Sequence, residues 1–134
     1  ERASDYWSPF RTNSVVPRTT VNGVENDEVL LLASSSHASH VCAVFALGGL
    51  KCWGYNKYGQ LGIGNQKSNN VPTAAVGIGN AVVTHLAIGG RHTCAVLVPG
   101  GVKCVGKNDQ GQLGSWGHLS TYNAGSPYVK TFTG

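Results

Sequence analysis

The chain has 134 residues, a formal net charge of +4 and a sequence pI near 9.0, yet only 12% of its residues are charged. Its lysines and arginines stand singly, which excludes a nucleic-acid-binding stripe, and no apolar run approaches the roughly 18 residues of a membrane span. The 19 glycines and the absence of methionine describe a chain rich in turns and poor in helix formers.

The first 14 residues differ from the rest because aromatic side chains stand there among polar ones. Tyr6, Trp7 and Phe10 are candidates for an arm that docks on a neighbouring copy of the chain. The alternative is a partly ordered terminus, as is common at chain ends. Because the sequence starts at Glu1 without methionine or a signal peptide, we expect a processed product or a fragment.

An internal repeat dominates the rest of the sequence. Residues 40–62 and 92–114 align without a gap at an offset of 52 and agree at 14 of 23 positions. Repeats of this length are typical of propellers and solenoids. A looser match upstream extends the units to residues 15–66 and 67–118, and residues 119–134 then begin a third unit. The matched positions to which we assign structural roles are His40 and His92, Gly54 and Gly106, Gly59 and Gly111, Gln60 and Gln112, and Leu61 and Leu113.

Each unit predicts short antiparallel strands and almost no helix. Apolar runs of strand length flank residues 48–49 in the first unit and residues 99–101 in the second, which is typical of hairpins. In the incomplete third unit, Tyr128, Val129 and Phe132 belong to an opening strand without a partner. We therefore consider these three residues a candidate assembly surface.

Each unit also carries one pair of cysteines, ten residues apart. Cys42 and Cys52 lie symmetrically about the predicted hairpin loop, and Cys94 and Cys104 repeat this arrangement. Opposite residues of a non-hydrogen-bonded pair have Cα atoms about 4.5 Å apart, within the range of a disulfide. Two disulfides, one in each unit, are therefore favoured, and they imply an oxidising compartment. Buried free thiols are the alternative, while a nine-residue gap is unlike the short spacing of a zinc site.

Two strings of the repeat resemble a known family. Residues 51–62 read KCWGYNKYGQLG and residues 89–96 read GGRHTCAV, and both are similar to the repeat of regulator-of-chromosome-condensation propellers. The resemblance covers about residues 15–134 and implies one four-stranded antiparallel blade for each repeat. The paired cysteines resemble the extracellular, bacterial-type variants of this repeat. We therefore expect an all-β fold of two blades, a partial propeller that further copies or a longer parent chain would complete.

Members of this family differ in function, so the fold does not assign one. No residue pattern indicates a catalytic site, a metal site or a cofactor. We expect a non-enzymatic protein, extracellular or at the cell surface, that acts through protein–protein contact and assembles with copies of itself or other propeller repeats into a ring or fibre. Alternatives are a secreted binding module, such as an enzyme inhibitor or a lectin, and a fragment of a larger propeller, including one like an exchange factor. O-linked glycans would fit the expected location.

Overall fold

Eight β-strands make up the fold. The computed structural model describes residues 26–114, 128–129 and 131–132. The strands are, in chain order, β1 (Val29–Ala33), β2 (His40–Phe45), β3 (Gly49–Gly54), β4 (Asn69–Ala74), β5 (Val82–Ile88), β6 (His92–Val98), β7 (Gly101–Lys107) and β8 (Tyr128–Val129). These described residues contain no helix, and so none long and apolar enough to cross a membrane.

The strands form two antiparallel sheets of four, in the orders β1-β2-β3-β4 and β5-β6-β7-β8. We call them blade 1 and blade 2. The two are alike even in their irregularities, because each first strand has a bulge at the same place, between Val29 and Leu31 in β1 and between Val83 and His85 in β5. The expected all-β architecture of two four-stranded blades is confirmed.

The blades do not coincide with the repeat units of the sequence. Strand β4 completes blade 1 although it lies beyond residue 66, and β8 completes blade 2 by pairing with β7, with Val129 opposite Gly106 and Tyr128 opposite Lys107. In the sequence, β8 lies in the third unit just as β4 lies in the second, and each completes the preceding blade. Sequence similarity marks where the pattern recurs, but the unpaired edge of β7 decides where the strand joins.

The register of the two central hairpins places each cysteine opposite its partner. Cys42 faces Cys52 across β2 and β3, and Cys94 faces Cys104 across β6 and β7. The Cα atoms of the two pairs are 4.1 and 4.0 Å apart, and both pairs are disulfide-bonded. The predicted pairing is confirmed.

Each blade has two different faces because successive side chains of a strand point to opposite sides. The face of blade 1 that carries its disulfide packs against blade 2, whereas blade 2 turns its own disulfide to the opposite side, where both cysteines are half-buried. The layer between the blades is the hydrophobic core. It contains Cys42, Val44, Leu50, Cys52 and Leu61 of blade 1 and Val83, Ala95, Leu97 and Val105 of blade 2.

Phe132 joins this core from the segment after β8. Its side chain is completely buried, and its backbone N–H donates a hydrogen bond to the carbonyl oxygen of Val76 at 2.8 Å. The ring lies against Gly62, where a Cβ would overlap the ring atoms. The segment that completes blade 2 therefore also contacts the region around β4 of blade 1, and it ties the blades together.

Gly54 and Gly106 occupy the same position at the ends of the third strands. Their φ angles are +112° and +116°, and the carbonyl oxygens of Ser39 and Arg91, respectively, occupy the space where a Cβ would lie. Only glycine combines a positive φ with so close a backbone approach. These two positions therefore set the spacing between the second and third strands of each blade.

We expect Gly54→Ala to destabilise the chain far more than Gly49→Ala. Both glycines have positive φ, but nothing lies within 4 Å of a Cβ at Gly49. The control should therefore show only the cost of a left-handed conformation, about 1–2 kcal/mol, while Gly54→Ala adds a backbone clash and should lower the free energy of unfolding by about 3 kcal/mol or more. Urea denaturation measures both, and equal losses would contradict this account.

Candidate functional site

A buried chain of hydrogen bonds crosses the junction between the blades. His40 Nε2 lies 2.7 Å from Thr93 Oγ1, and the Thr93 hydroxyl donates to the backbone carbonyl oxygen of Gln60 at 2.8 Å. All three residues are at most 1% exposed. Because the hydroxyl has a single proton and gives it to Gln60, His40 must donate from Nε2. His40 and Gln60 of blade 1 are thus joined by one side chain of blade 2.

The environment of His40 keeps its imidazole neutral. Burial lowers the pKa of His40 to about 4, with a smaller contribution from the charge of His92. The other ring nitrogen, Nδ1, is buried without a hydrogen-bond partner in the described structure, so a proton there would be a buried donor with no acceptor. The neutral form with a proton on Nε2 is therefore the one that the junction stabilises.

The equivalent residues of blade 2 lie on its far side and are less buried. His92 is half-buried, and burial lowers its pKa as well. Gln112 and Leu113 are also half-buried, whereas Gln60 and Leu61 in blade 1 are completely buried. The same sequence pattern is therefore covered in one blade and partly open in the other, because blade 2 itself covers blade 1.

Two asparagines that the sequence analysis did not single out fix the loops beside these positions. Asn56 and Asn108 are completely buried and repeat-equivalent. The side-chain oxygen of Asn56 accepts a hydrogen bond from the backbone N–H of Leu61, and that of Asn108 accepts one from Leu113, at 2.9 and 3.0 Å. Gly59 and Gly111 lie in the turns that these asparagines close. The presence of asparagine at this position in both repeats is the sequence feature that could have identified them.

One aromatic ring and two cations form a cluster at one edge of the junction. We call Tyr58, Arg91 and Lys107 the rim cluster. The Arg91 guanidinium carbon lies 5.4 Å and Lys107 Nζ 5.0 Å from the centre of the Tyr58 ring, within the range of a cation–π interaction. Tyr58 follows β3 of blade 1. In blade 2, Arg91 directly precedes β6 and Lys107 is the last residue of β7, so the cluster spans both blades.

A shallow groove of about 510 Å³ opens beside the rim cluster. Asp109 neutralises part of its charge by pairing with Lys107 at 3.2 Å. Two cations against one carboxylate leave the groove positive. Its lining consists of His37, Gly90, Arg91, His92, Lys107, Asp109, Gln110 and Gln112.

Three of the six candidate assembly residues already have partners within the chain. Tyr128 and Val129 pair with β7 inside the chain, and Phe132 is buried between the blades. The arm residues Tyr6, Trp7 and Phe10 lie outside the described residues. Within the described part of the chain, no group of three or more histidine, cysteine, aspartate or glutamate side chains could hold a metal ion.

Comparison with known proteins identifies the repeat. The model of the regulator of chromosome condensation (RCC1) repeat matches residues 48–96, and a second RCC1 repeat model matches residues 83–112. The chain is 39% identical over 108 residues to the protein RCC2 homolog of Xenopus laevis and 37% identical over 108 residues to human RCC2; each match covers 81% of this chain and 19% of the relative. The chain thus spans about a fifth of the length of these relatives.

A solved structure agrees with the fold. The crystal structure of Prp20p from Saccharomyces cerevisiae, a protein studied for its binding to Gsp1p and histones, superposes with a TM-score of 0.67 at 23% identity. The match covers 79% of this chain and 26% of Prp20p. At this identity the likeness concerns the fold alone.

The expected extracellular or cell-surface location is wrong. The relatives, RCC2 and Prp20p, are intracellular and associated with chromatin. The expectation rested on the cysteine pairs, and the structure contains both disulfides, but a cross-strand pair shows only that two cysteines lie opposite each other.

The free energy of unfolding should decrease as the pH falls from about 6.5 to about 4. In this range the unfolded chain binds a proton at His40 and the folded chain does not, because its pKa is near 4. Partly buried His92 contributes in the same direction. His40→Gln, whose amide can still donate to Thr93 but does not titrate, should flatten this dependence, and His92→Gln should flatten it less because His92 is only half-buried. Urea unfolding curves at several pH values in this range give the free energy of unfolding. If its dependence on pH is the same in His40→Gln as in the wild type, His40 is not the residue responsible.

Mild reduction should open the Cys94–Cys104 disulfide before Cys42–Cys52. The first is half-buried on the far face of blade 2, while both cysteines of the second are 0% exposed, and a reductant attacks an accessible sulfur faster. Alkylation at timed intervals followed by mass spectrometry gives the order. In urea, where neither disulfide is covered, the two rates should become similar; a faster opening of Cys42–Cys52 in the folded chain would contradict the burial argument.

Proposed function

This chain carries β-propeller repeats of the RCC1 family, and we propose that it is a two-blade section of a larger, non-enzymatic propeller that binds a protein partner through its rim cluster. The partner surface that fits is acidic. The fold alone does not assign this role, so the proposal rests on the site.

The observation that carries the proposal is the arrangement of Tyr58, Arg91 and Lys107. Cations over an aromatic ring present a positive, partly apolar surface, and aromatic and arginine side chains are the ones that most often dominate protein interfaces. The cluster also spans the two blades, so a partner bound there would contact a surface that only the assembled propeller presents.

The relatives support a role in protein binding. Prp20p is described by its binding to Gsp1p and histones, and the family takes its name from a regulator rather than from a catalyst. A section of a larger propeller also agrees with the fraction of each relative that the chain spans. Self-assembly into a ring or fibre, and a role as an inhibitor or lectin, have no corresponding support among these relatives.

Charge reversal in the rim cluster tests the proposal. Gsp1p, which is named with the yeast relative, is titrated against the wild-type chain, Arg91→Glu and the control Lys67→Glu. Lys67 is an exposed residue before β4 and lies outside the rim cluster, and its reversal changes the net charge by the same amount. We expect Gsp1p to bind, with affinity about tenfold lower for Arg91→Glu and nearly unchanged for the control.

Salt provides a second readout. Binding that depends on the cations should weaken as ionic strength rises, because exposed charges are screened over about 10 Å at 0.1 M salt. If Gsp1p does not bind, or if Arg91→Glu and Lys67→Glu weaken binding equally, the rim cluster is not the binding surface.

A further inference from the structure

The junction between the blades shows what the RCC1-type repeats of this chain require of a neighbour. Blade 1 presents His40 Nε2 and the carbonyl oxygen of Gln60, and blade 2 satisfies both with the single hydroxyl of Thr93. The hydroxyl is suited to this because it accepts one hydrogen bond and donates another. An apolar side chain at the same place would leave both groups buried without partners, which is costly.

Blade 2 presents the same pattern on its far face. His92 and Gln112 are the repeat equivalents of His40 and Gln60, and the Cys94–Cys104 disulfide corresponds to the buried Cys42–Cys52. All of these are half-buried where their counterparts in blade 1 are covered. Among the described residues, no hydrogen bond to the His92 side chain is formed. This face is therefore incomplete in the way that blade 1 would be without blade 2.

A second copy of the chain does not complete this face. The residue of blade 1 at the position of Thr93 is Val41, which has no hydroxyl. The side chains next to it on the same face of β2, Ala43 and Phe45, are 1% and 3% exposed, so this face is already covered within the chain. Head-to-tail stacking of two copies would place Val41 against His92 and Gln112, where it could not form the hydrogen bonds of a hydroxyl. It would also require Ala43 and Phe45, which are already buried, to become accessible to the second copy.

We propose that the far face of blade 2 is the docking surface for one further repeat that carries threonine or serine directly after the histidine of its second strand, and that the first blade of another copy is excluded. The inference rests on the proposed function, since it places this chain inside a longer propeller. It adds that a hydroxyl on the second strand selects the next blade, and that the propeller continues from the far face of blade 2.

The requirement for the hydroxyl is tested first at the existing junction. Thr93→Val removes the hydroxyl and keeps the shape, whereas Thr93→Ser keeps the hydroxyl. We expect Thr93→Val to lower the equilibrium constant for folding about tenfold or more, and Thr93→Ser to lower it clearly less. A Thr93→Val chain as stable as Thr93→Ser would overturn the inference.

The docking surface is tested by lengthening the full chain by one blade. A copy of residues 75–134, which begins with the connection between β4 and β5, is added after Gly134. Its own two cysteines are replaced by alanine, and the added blade carries the equivalent of Thr93. A matched version carries valine at that one position. The readout is the rate at which Cys94–Cys104 is reduced, with Cys42–Cys52 as the internal reference.

We expect the threonine version to slow the reduction of Cys94–Cys104 about tenfold relative to the valine version, with Cys42–Cys52 reduced at the same rate in both. Equal protection by the two versions would show that the hydroxyl does not select the neighbour, and no protection by either would show that this face does not take a repeat. Neither result depends on Arg91 or on a bound partner, so the proposed function can fail or hold separately.

Discussion

The structure depends on one hydrogen-bonded chain that is buried between its two blades. His40, Thr93 and Gln60 are in a place from which water is excluded, so each polar group needs a protein partner there. The partners come from different blades, and neither blade can satisfy them alone. The apolar layer around them, with Leu50, Leu97 and other core residues, stabilises many relative positions of two sheets. The hydrogen bonds select one of these positions.

The same constraint gives the chain a direction. Successive side chains of a strand point to opposite faces. The first face of each blade therefore carries the histidine, the cysteine and the following valine of its second strand, which are His40, Cys42 and Val44 in β2 and His92, Cys94 and Val96 in β6. The residues between them lie on the second face. The first face of blade 1 packs against the second face of blade 2. Blade 2 then presents the first face again, half-buried, beyond which a further repeat would continue the pattern. The rim cluster lies at the edge of the completed junction, where Tyr58 from one blade meets Arg91 from the next.

The sequence predicted the strands, the hairpin register and both disulfides, because these follow from local patterns within each unit. It did not predict that β8 closes blade 2, since the choice of sheet edge is a long-range event that a 52-residue similarity does not encode. Thr93 was missed for a related reason: the aligned position in blade 1 is Val41, so the feature that matters differs between the copies. Asn56 and Asn108 were visible as identical residues, but their role depends on loop contacts. The expected location failed because cysteine pairing reports geometry and does not identify a compartment.

The tautomer of His40 tests the account most directly. Long-range ¹H–¹⁵N correlation spectra of the imidazoles, recorded near pH 6, distinguish the proton on Nε2 from the proton on Nδ1 and from the doubly protonated ring. The hydrogen bond to Thr93, which in turn donates to Gln60, requires a proton on Nε2 of His40. Burial lowers the pKa of His40 to about 4 and leaves Nδ1 without a partner, so the ring is expected to be neutral. A His40 that is protonated at this pH, or that carries its proton on Nδ1, would contradict the arrangement on which the junction and the inferred docking surface both depend.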